Sequence, residues 1–135
     1  MPTARSQFDL DVWEEADEPY RVTEGAKLLH GKSSRLFAGG DIDGRGHTEM
    51  IMAQTTEEKS ATYVGIEYFE GTVHGKKGSF VLSHSSSQDR GELSSRYFVV
   101  PGSATGELKG MRGTATITIT PEKEHFFELE YELPA

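Results

Sequence analysis

The segment that decides the fold is TATITITPEKEHFFELEYEL, residues 114–133. Its first part alternates threonine with small or aliphatic residues, and its second part alternates glutamate with large apolar residues. A period of two with one polar face is typical of half-buried antiparallel strands. If Pro121–Glu124 form the loop, Ile119 lies opposite Phe127 and the remaining apolar residues pair in step. The segment therefore predicts a hairpin with one buried face.

The same alternation extends outward from this hairpin over most of the chain. Further predicted strands are Phe8–Val12, Lys27–Phe37, Asp41–Gln54, Thr62–Val73, Ser79–Ser85 and Glu92–Val99. About eight strands without helical periodicity predict an all-β fold, a single closed antiparallel β-barrel. We expect one domain over residues 1–135, with an ordered core from about 7 to 134. The serine-rich stretch Ser83–Ser95 is predicted to be a loop at one end of the barrel.

Composition limits the partners of the protein. The 135 residues include 22 acidic and 14 basic side chains, a formal charge of −8. Such a surface repels nucleic acids and anionic lipids, so we expect no nucleic-acid partner and no membrane partner. The sequence has no cysteine, and its first residues lack the apolar core of a secretory signal. These features predict a cytoplasmic protein.

The stretch GTVHGKKGSFVLSH, residues 71–84, comes close to a phosphate-binding loop without matching one. The spacing between its glycines is one residue short, and a lysine stands where the motif needs a hydroxyl. A hairpin fits better, with Val73 opposite Phe80 and with Gly75 and Gly78 at positive φ. Lys76 and Lys77 are then predicted to lie exposed in the turn, with no role in binding phosphate.

Glu67 and His84 are the candidates for catalysis. The predicted hairpin makes them diagonal neighbours on one face of the sheet. On an interior face, a carboxylate beside an imidazole can bind a polar ligand group or transfer a proton. On an outward face the pair is an ordinary solvated contact. The apolar residues Val64, Ile66 and Tyr68 offer a rival interior face, so both alternatives stay open.

Aromatic and methionine side chains supply the candidates for ligand binding inside the barrel. They are Phe69, Tyr131, Met50 and Met52. Packing in a filled core explains the same residues equally well. The five histidines show none of the paired spacings of metal sites, so we expect no metal, and nothing in the sequence calls for a cofactor.

Three blocks resemble a known bacterial family. They are YVGIEYFEGTVHGKKGSFVLSH, VVPGSATGELKGMRG and the closing strand that ends in LEYELP. Together they resemble domain-of-unknown-function family 3224 from about Phe8 to Leu133. The family pattern matches at Glu67, His84, Gly102, Ser103, Gly106 and Glu107. The resemblance implies a closed barrel similar to allene oxide cyclases and lipocalins, and it implies no assigned activity.

Three functions follow as hypotheses. The leading one is binding of a small apolar molecule inside the barrel. The second is a cofactor-free isomerase or cyclase that acts in the lumen, with Glu67 as base and His84 as its hydrogen-bond partner. The third is a homo-oligomeric structural or interaction module, most simply a homodimer, because Thr62–Val73 has two apolar faces and only one can line the lumen.

Overall fold

The protein is an all-β barrel in a computed structural model that describes residues 2–57 and 60–134. The strands are β1 Thr3–Glu15, β2 Arg21–Val22, β3 Ala26–Ala38, β4 Ile42–Thr55, β5 Ala61–Val73, β6 Lys76–Asp89, β7 Glu92–Val99, β8 Arg112–Ile119 and β9 His125–Glu132. All pairings are antiparallel, and β1 pairs with both β9 and β3. Eight strands therefore close on themselves, with β2 added beside β3. The predicted fold class is confirmed.

The hairpin of β8 and β9 has the predicted faces but a different register. Ile117, not Ile119, lies opposite Phe127. The turn is tighter than Pro121–Glu124, because Thr120 N donates to Glu124 O at 2.9 Å and Lys123 N donates to Thr120 O at 2.8 Å. Lys123 has a φ of +66°, which fits a three-residue loop. A shift of two residues leaves every side chain on its predicted face.

The hairpin of β5 and β6 also turns more tightly than predicted. His74 and Gly75 alone form the turn, with φ of +49° and +76°, so Val73 lies opposite Lys76 rather than Phe80. Two residues at positive φ match the turn that suits the twist of paired strands. The prediction for Gly78 was wrong, because this glycine lies inside β6. A Cβ there would overlap the carbonyl oxygen of Thr105, so the requirement is close approach of two backbones.

The predicted loop Ser83–Ser95 is instead a second hairpin. Strands β6 and β7 continue through the serines to a turn at Arg90 and Gly91, both at positive φ. Ser86 and Ser95 lie directly opposite one another, with their hydroxyl oxygens 2.9 Å apart. The serine-rich composition suggested a loop. However, serine hydroxyls on paired strands can hydrogen-bond to each other, so a serine-rich segment can also form strands at a partly solvated surface.

A bulge in β1 changes which residues face the interior. The register with β3 slips between Leu10 and Val12, so Val12 pairs with Ser34 and Trp13 with Ser33. Asp11, at the bulge, accepts hydrogen bonds from Ser34 Oγ at 2.7 Å and from Arg45 Nη1 at 2.5 Å. Beyond the bulge, the extra residue exchanges the side chains of β1 that face inward with those that face outward. Leu10 and Trp13 therefore face the lumen, whereas Val12, which unbroken alternation from Phe8 would place on that face, does not.

One end of the barrel is sealed by residues 100–111, which we call the plug. Its Leu108 and Met111 are fully buried against the interior apolar cluster. Ser103 Oγ accepts a hydrogen bond from Val81 N at 3.0 Å, and Thr105 N donates to Ser79 O at 2.8 Å. These bonds attach the plug to β6. Among the helices of the described residues, none is long and apolar enough to cross a membrane.

Candidate functional site

A buried ion pair lies at mid-height in the lumen. Arg35, on β3, donates from Nε to Glu67 Oε2 at 2.7 Å and from Nη2 to Glu67 Oε1. Arg35 is 5% exposed and Glu67, on β5, is 0% exposed. The guanidinium also lies over the rings of Phe8, Phe37 and Phe127, with 4.8–5.2 Å to their centroids. Paired hydrogen bonds and surrounding aromatic faces compensate a charge held out of water.

His84, on β6, completes the cluster. Its Nε2 lies 2.8 Å from Glu67 Oε1, and its ring packs edge-on against Tyr97 at 4.7 Å between centroids. In the strand register Glu67 lies opposite Leu82, so His84 is its diagonal neighbour, as the sequence predicted. The predicted register itself was wrong by four residues, and an even shift preserves the face. The predicted partner of Glu67 was Ser86 and the observed one is Leu82, so His84 is two residues from either.

The electrostatics hold Glu67 ionised. Burial raises the pKa of Glu67, but the Arg35 charge and the hydrogen bonds from His84 and Arg35 outweigh it and lower the pKa to about 2. Both carboxylate oxygens are already engaged. A carboxylate in this state is a weak base at neutral pH. The geometry therefore gives Glu67 the role of orienting Arg35 and His84.

Gly46 makes room for this arrangement. It lies opposite Arg35 on β4, and a Cβ built on it would overlap Glu67 Oε2. The space left by the missing side chain is thus filled by the carboxylate. Glycine within a strand often marks such a close approach.

A cavity of about 470 Å³ lies above the ion pair and opens at the end of the barrel opposite the plug. Its floor includes Arg35, Thr48 and His84, and its wall includes Tyr63 and Tyr97. Toward the mouth the wall is apolar, formed by Leu10, Trp13, Met50, Leu93, Ile117 and Ile119. Trp13 is 49% exposed and Leu93 is 63% exposed, so large apolar side chains face the entrance.

Of the four candidate ligand-binding residues, two line open space in the barrel and two lie in its packed interior. Met50 lines the cavity, and Met52 lines a neighbouring space of about 250 Å³ that shares Trp13 and Tyr63 with it. Phe69 and Tyr131 lie instead in the interior apolar cluster. Tyr131 OH lies 2.5 Å from Nδ1 of His74 in the β5–β6 turn, toward the sealed end.

Of the catalytic candidates, only His84 lines the cavity. Glu67 lies behind Arg35 and is not among the lining residues. The rival face of β5 points outward, because Val64, Ile66 and Tyr68 are about half exposed.

Sequence reasoning missed Arg35, the charged group of the cavity floor. The available signal was its position in β3, where it shares a strand face with Leu29 and Phe37. A lone arginine on an apolar strand face needs a buried partner, and Glu67 holds the corresponding place on β5.

Comparisons with known proteins agree with this architecture. A family model described as "Protein of unknown function (DUF3224)" matches residues 4–131. A crystal structure at 1.84 Å of a protein with unknown function from this family, from Shewanella oneidensis MR-1, is similar with a TM-score of 0.91 and 31% identity. The match covers 100% of this chain and 98% of that chain. The search of curated proteins found no match. The predicted likeness to allene oxide cyclases and lipocalins stays a prediction. The chain belongs to the DUF3224 family.

Proposed function

We propose that the protein binds a small, largely apolar molecule in the lumen of the barrel. The observation that carries the proposal is the cavity of about 470 Å³, whose mouth exposes Leu10, Trp13, Leu93 and Ile119 to solvent. Concave sites with apolar walls and a few convergent polar groups are the usual form of small-molecule sites. The polar groups of the floor would orient the molecule, and the walls would supply most of the binding free energy.

The test blocks the cavity at one residue and leaves the outer surface as control. Ser95 and Ser94 are exposed neighbours on β7, but Ser95 lines the cavity and Ser94 faces outward. We expect Ser95→Phe to weaken binding of 1-decanol or geraniol by at least about tenfold, a loss of about 1.4 kcal/mol. Ser94→Phe should leave the affinity unchanged.

Two readouts serve this test. Trp13 is the only tryptophan and lines the cavity, so its emission reports a molecule that enters the mouth. A ligand that binds the folded state also raises the melting temperature. If no apolar molecule in a broad panel changes either signal, the proposed function is wrong.

We propose a second, compatible role for the outer face of β4 and β5. Ile51, Val64, Ile66 and Tyr68 lie side by side there, each about half exposed, and Ile51 pairs directly with Val64. Contiguous apolar surface on a folded protein usually marks an interface. A second copy of the same face would bury it in a symmetric dimer.

Light scattering at micromolar concentration tests the dimer. We expect twice the chain mass of 14.9 kDa, and a shift toward the monomer for Ile66→Glu. Thr118→Glu, on the outward face of β8, is the control and should leave the mass unchanged. A monomer mass for the unmodified protein would exclude this second role and leave lumenal binding untouched.

A further inference from the structure

The charge of the cavity differs from the charge of the whole protein. The protein carries 22 acidic and 14 basic residues. Yet the sixteen described residues that line the cavity include Arg35, His84 and His125 and no aspartate or glutamate. Although the protein is acidic overall, no carboxylate of the described residues lines the cavity. The Glu67 carboxylate behind Arg35 is paired with it and does not line the cavity, so this wall does not repel a negatively charged guest.

Arg35 presents an unused edge to this cavity. Its Nε and Nη2 bind Glu67, and Nη2 also lies 3.4 Å from His84 Nε2, whereas Nη1 makes no hydrogen bond to any described residue. No fully buried side-chain polar atom in the described part of the chain lacks a partner, so Nη1 keeps contact with the open space. Because Arg35 lines the cavity, these N–H groups are available to donate to an acceptor on a molecule bound there.

A neutral tyrosine hydroxyl lies on the same wall. Burial, and after it the neighbouring Tyr97, raises the pKa of Tyr63 above its usual 10.0, so its hydroxyl keeps its proton and can donate. The polar part of the cavity thus offers donors from Arg35 and Tyr63. Planar guanidinium groups suit carboxylates in particular, since two N–H groups match two oxygens.

We propose that the lumenal ligand is an apolar molecule that ends in a carboxylate, with the carboxylate bound by Arg35 Nη1 and the apolar part along Trp13, Ile117 and Ile119. This inference rests on the proposed function, and it adds the chemical class of the ligand. Glu67 occupies the opposite edge of the guanidinium and is a positioning residue, because it touches no part of the cavity.

The comparison of an acid with its alcohol separates this inference from general apolar binding. A purely apolar cavity prefers 1-decanol to decanoate, because burying an unpaired carboxylate is costly. A guanidinium with free N–H groups reverses this preference, since a charge-assisted hydrogen bond to the carboxylate contributes about 1.5–3 kcal/mol to binding. We therefore expect the unmodified protein at pH 7 to bind decanoate at least about tenfold more tightly than 1-decanol.

The experiment measures both dissociation constants by calorimetry and Trp13 emission, below the concentration at which decanoate forms micelles and below the aqueous solubility of 1-decanol. The variant is Arg35→Lys, which keeps a positive charge for Glu67 but loses the second donor nitrogen. It should weaken decanoate by about tenfold more than it weakens 1-decanol, so that the preference for the acid is lost. Arg96→Lys, an exposed arginine on β7 outside the cavity lining, is the matched control and should change neither.

Each outcome decides between the two proposals. If 1-decanol binds as tightly as decanoate or more tightly, the carboxylate inference is wrong and lumenal binding stands. If a folded Arg35→Lys protein keeps the preference for decanoate, Arg35 is not its cause and the inference is again wrong. If Arg35→Lys does not fold, the acid–alcohol comparison in the unmodified protein decides alone. If neither compound binds, both proposals fail together.

Discussion

Gly46 illustrates how a single missing side chain can shape a buried site. We expect Gly46→Ala to lower the free energy of unfolding by at least about 3 kcal/mol, because the new methyl group displaces the Glu67 carboxylate from Arg35. Gly25→Ala is the control, since a Cβ there would have no atom of the described residues within 4 Å apart from its chain neighbours, and it should change stability by less than about 1 kcal/mol. Urea denaturation of both variants measures the difference. Equal stability of the two would mean that the carboxylate has room to move.

The ionisation of Glu67 predicts how stability depends on acidity. Its pKa is about 2 in the folded protein against an ordinary value of 4.5, so the folded state favours the charged form. The contribution is fully present above about pH 4.5 and is lost as the pH falls toward about 2. This difference corresponds to a contribution on the order of 3 kcal/mol.

Glu67→Gln tests this dependence by urea denaturation across the acid range. At neutral pH the variant should be less stable by about 3–5 kcal/mol, because Arg35 keeps a buried charge without its partner. The gap between variant and unmodified protein should narrow as the pH falls from about 4.5 to about 2. Glu128→Gln, at an exposed ion pair with Arg5, is the control and should differ by less than about 1 kcal/mol throughout. A gap that stays constant with pH would contradict the ionised state of Glu67.

At the scale of single residues, the sequence predicted side-chain faces well and contacts poorly. The shared face of Glu67 and His84 followed from alternation, because even shifts of register preserve faces, whereas their proximity also depended on the register error being four residues. Arg35 lies on a strand distant in sequence, and which charges meet across a closed sheet depends on the order of strands around it. The reversal at Asp11 was not predictable from alternation, since a bulge interrupts that pattern.

At the scale of elements, substitutions in the β5–β6 hairpin distinguish the contribution of surface charge to stability from the contribution of backbone packing. The double change Lys76→Ala and Lys77→Ala should alter the free energy of unfolding by less than about 0.5 kcal/mol, because both side chains are exposed. The Lys77 backbone N–H that donates to Glu107 Oε1 survives this change. Binding of a nucleotide or sugar phosphate that this double change weakens would overturn the hairpin interpretation.

Gly78→Val in the same strand should cost more, at least about 2 kcal/mol. The new side chain meets the carbonyl oxygen of Thr105 in the plug, and backbone on one side or the other must shift. Thermal denaturation of Gly78→Val and of the double lysine variant, carried out in parallel, measures the difference in stability. If Gly78→Val melts with the unmodified protein, the plug does not pack closely on β6.

The strands of the closed barrel were each predicted, although β1 extends well beyond Phe8–Val12 and β2 was missed. The turns were predicted less well. All three hairpin turns described above contain a non-glycine residue at positive φ, namely His74, Arg90 and Lys123. Such residues are uncommon there, so glycine placement alone misjudged the turn lengths. Each turn error moved a register by an even number of residues or converted a predicted loop into strand.

At the scale of the whole molecule, the two ends of the barrel should differ in local stability. The plugged end is filled by the interior apolar cluster, whereas residues 87–96, around the β6–β7 turn at the open end, are all exposed. We expect backbone amides of residues 87–96 to exchange with solvent much faster than those of 78–83 on the same hairpin. Hydrogen exchange followed by mass spectrometry measures this. Equal protection along the hairpin would mean that the open end is as well packed as the plugged end.

The place of β1 between β9 and β3 has a consequence for how the chain is made. Synthesis on the ribosome delivers β1 first, but one of its two neighbours, β9, is the last strand to emerge. Until then the seam of the barrel stays open, and the nascent chain carries unpaired hydrogen-bonding edges of the kind that attract other extended chains. Closure therefore waits until β9 has emerged, and the interval before it is when a chaperone would be most useful to this protein.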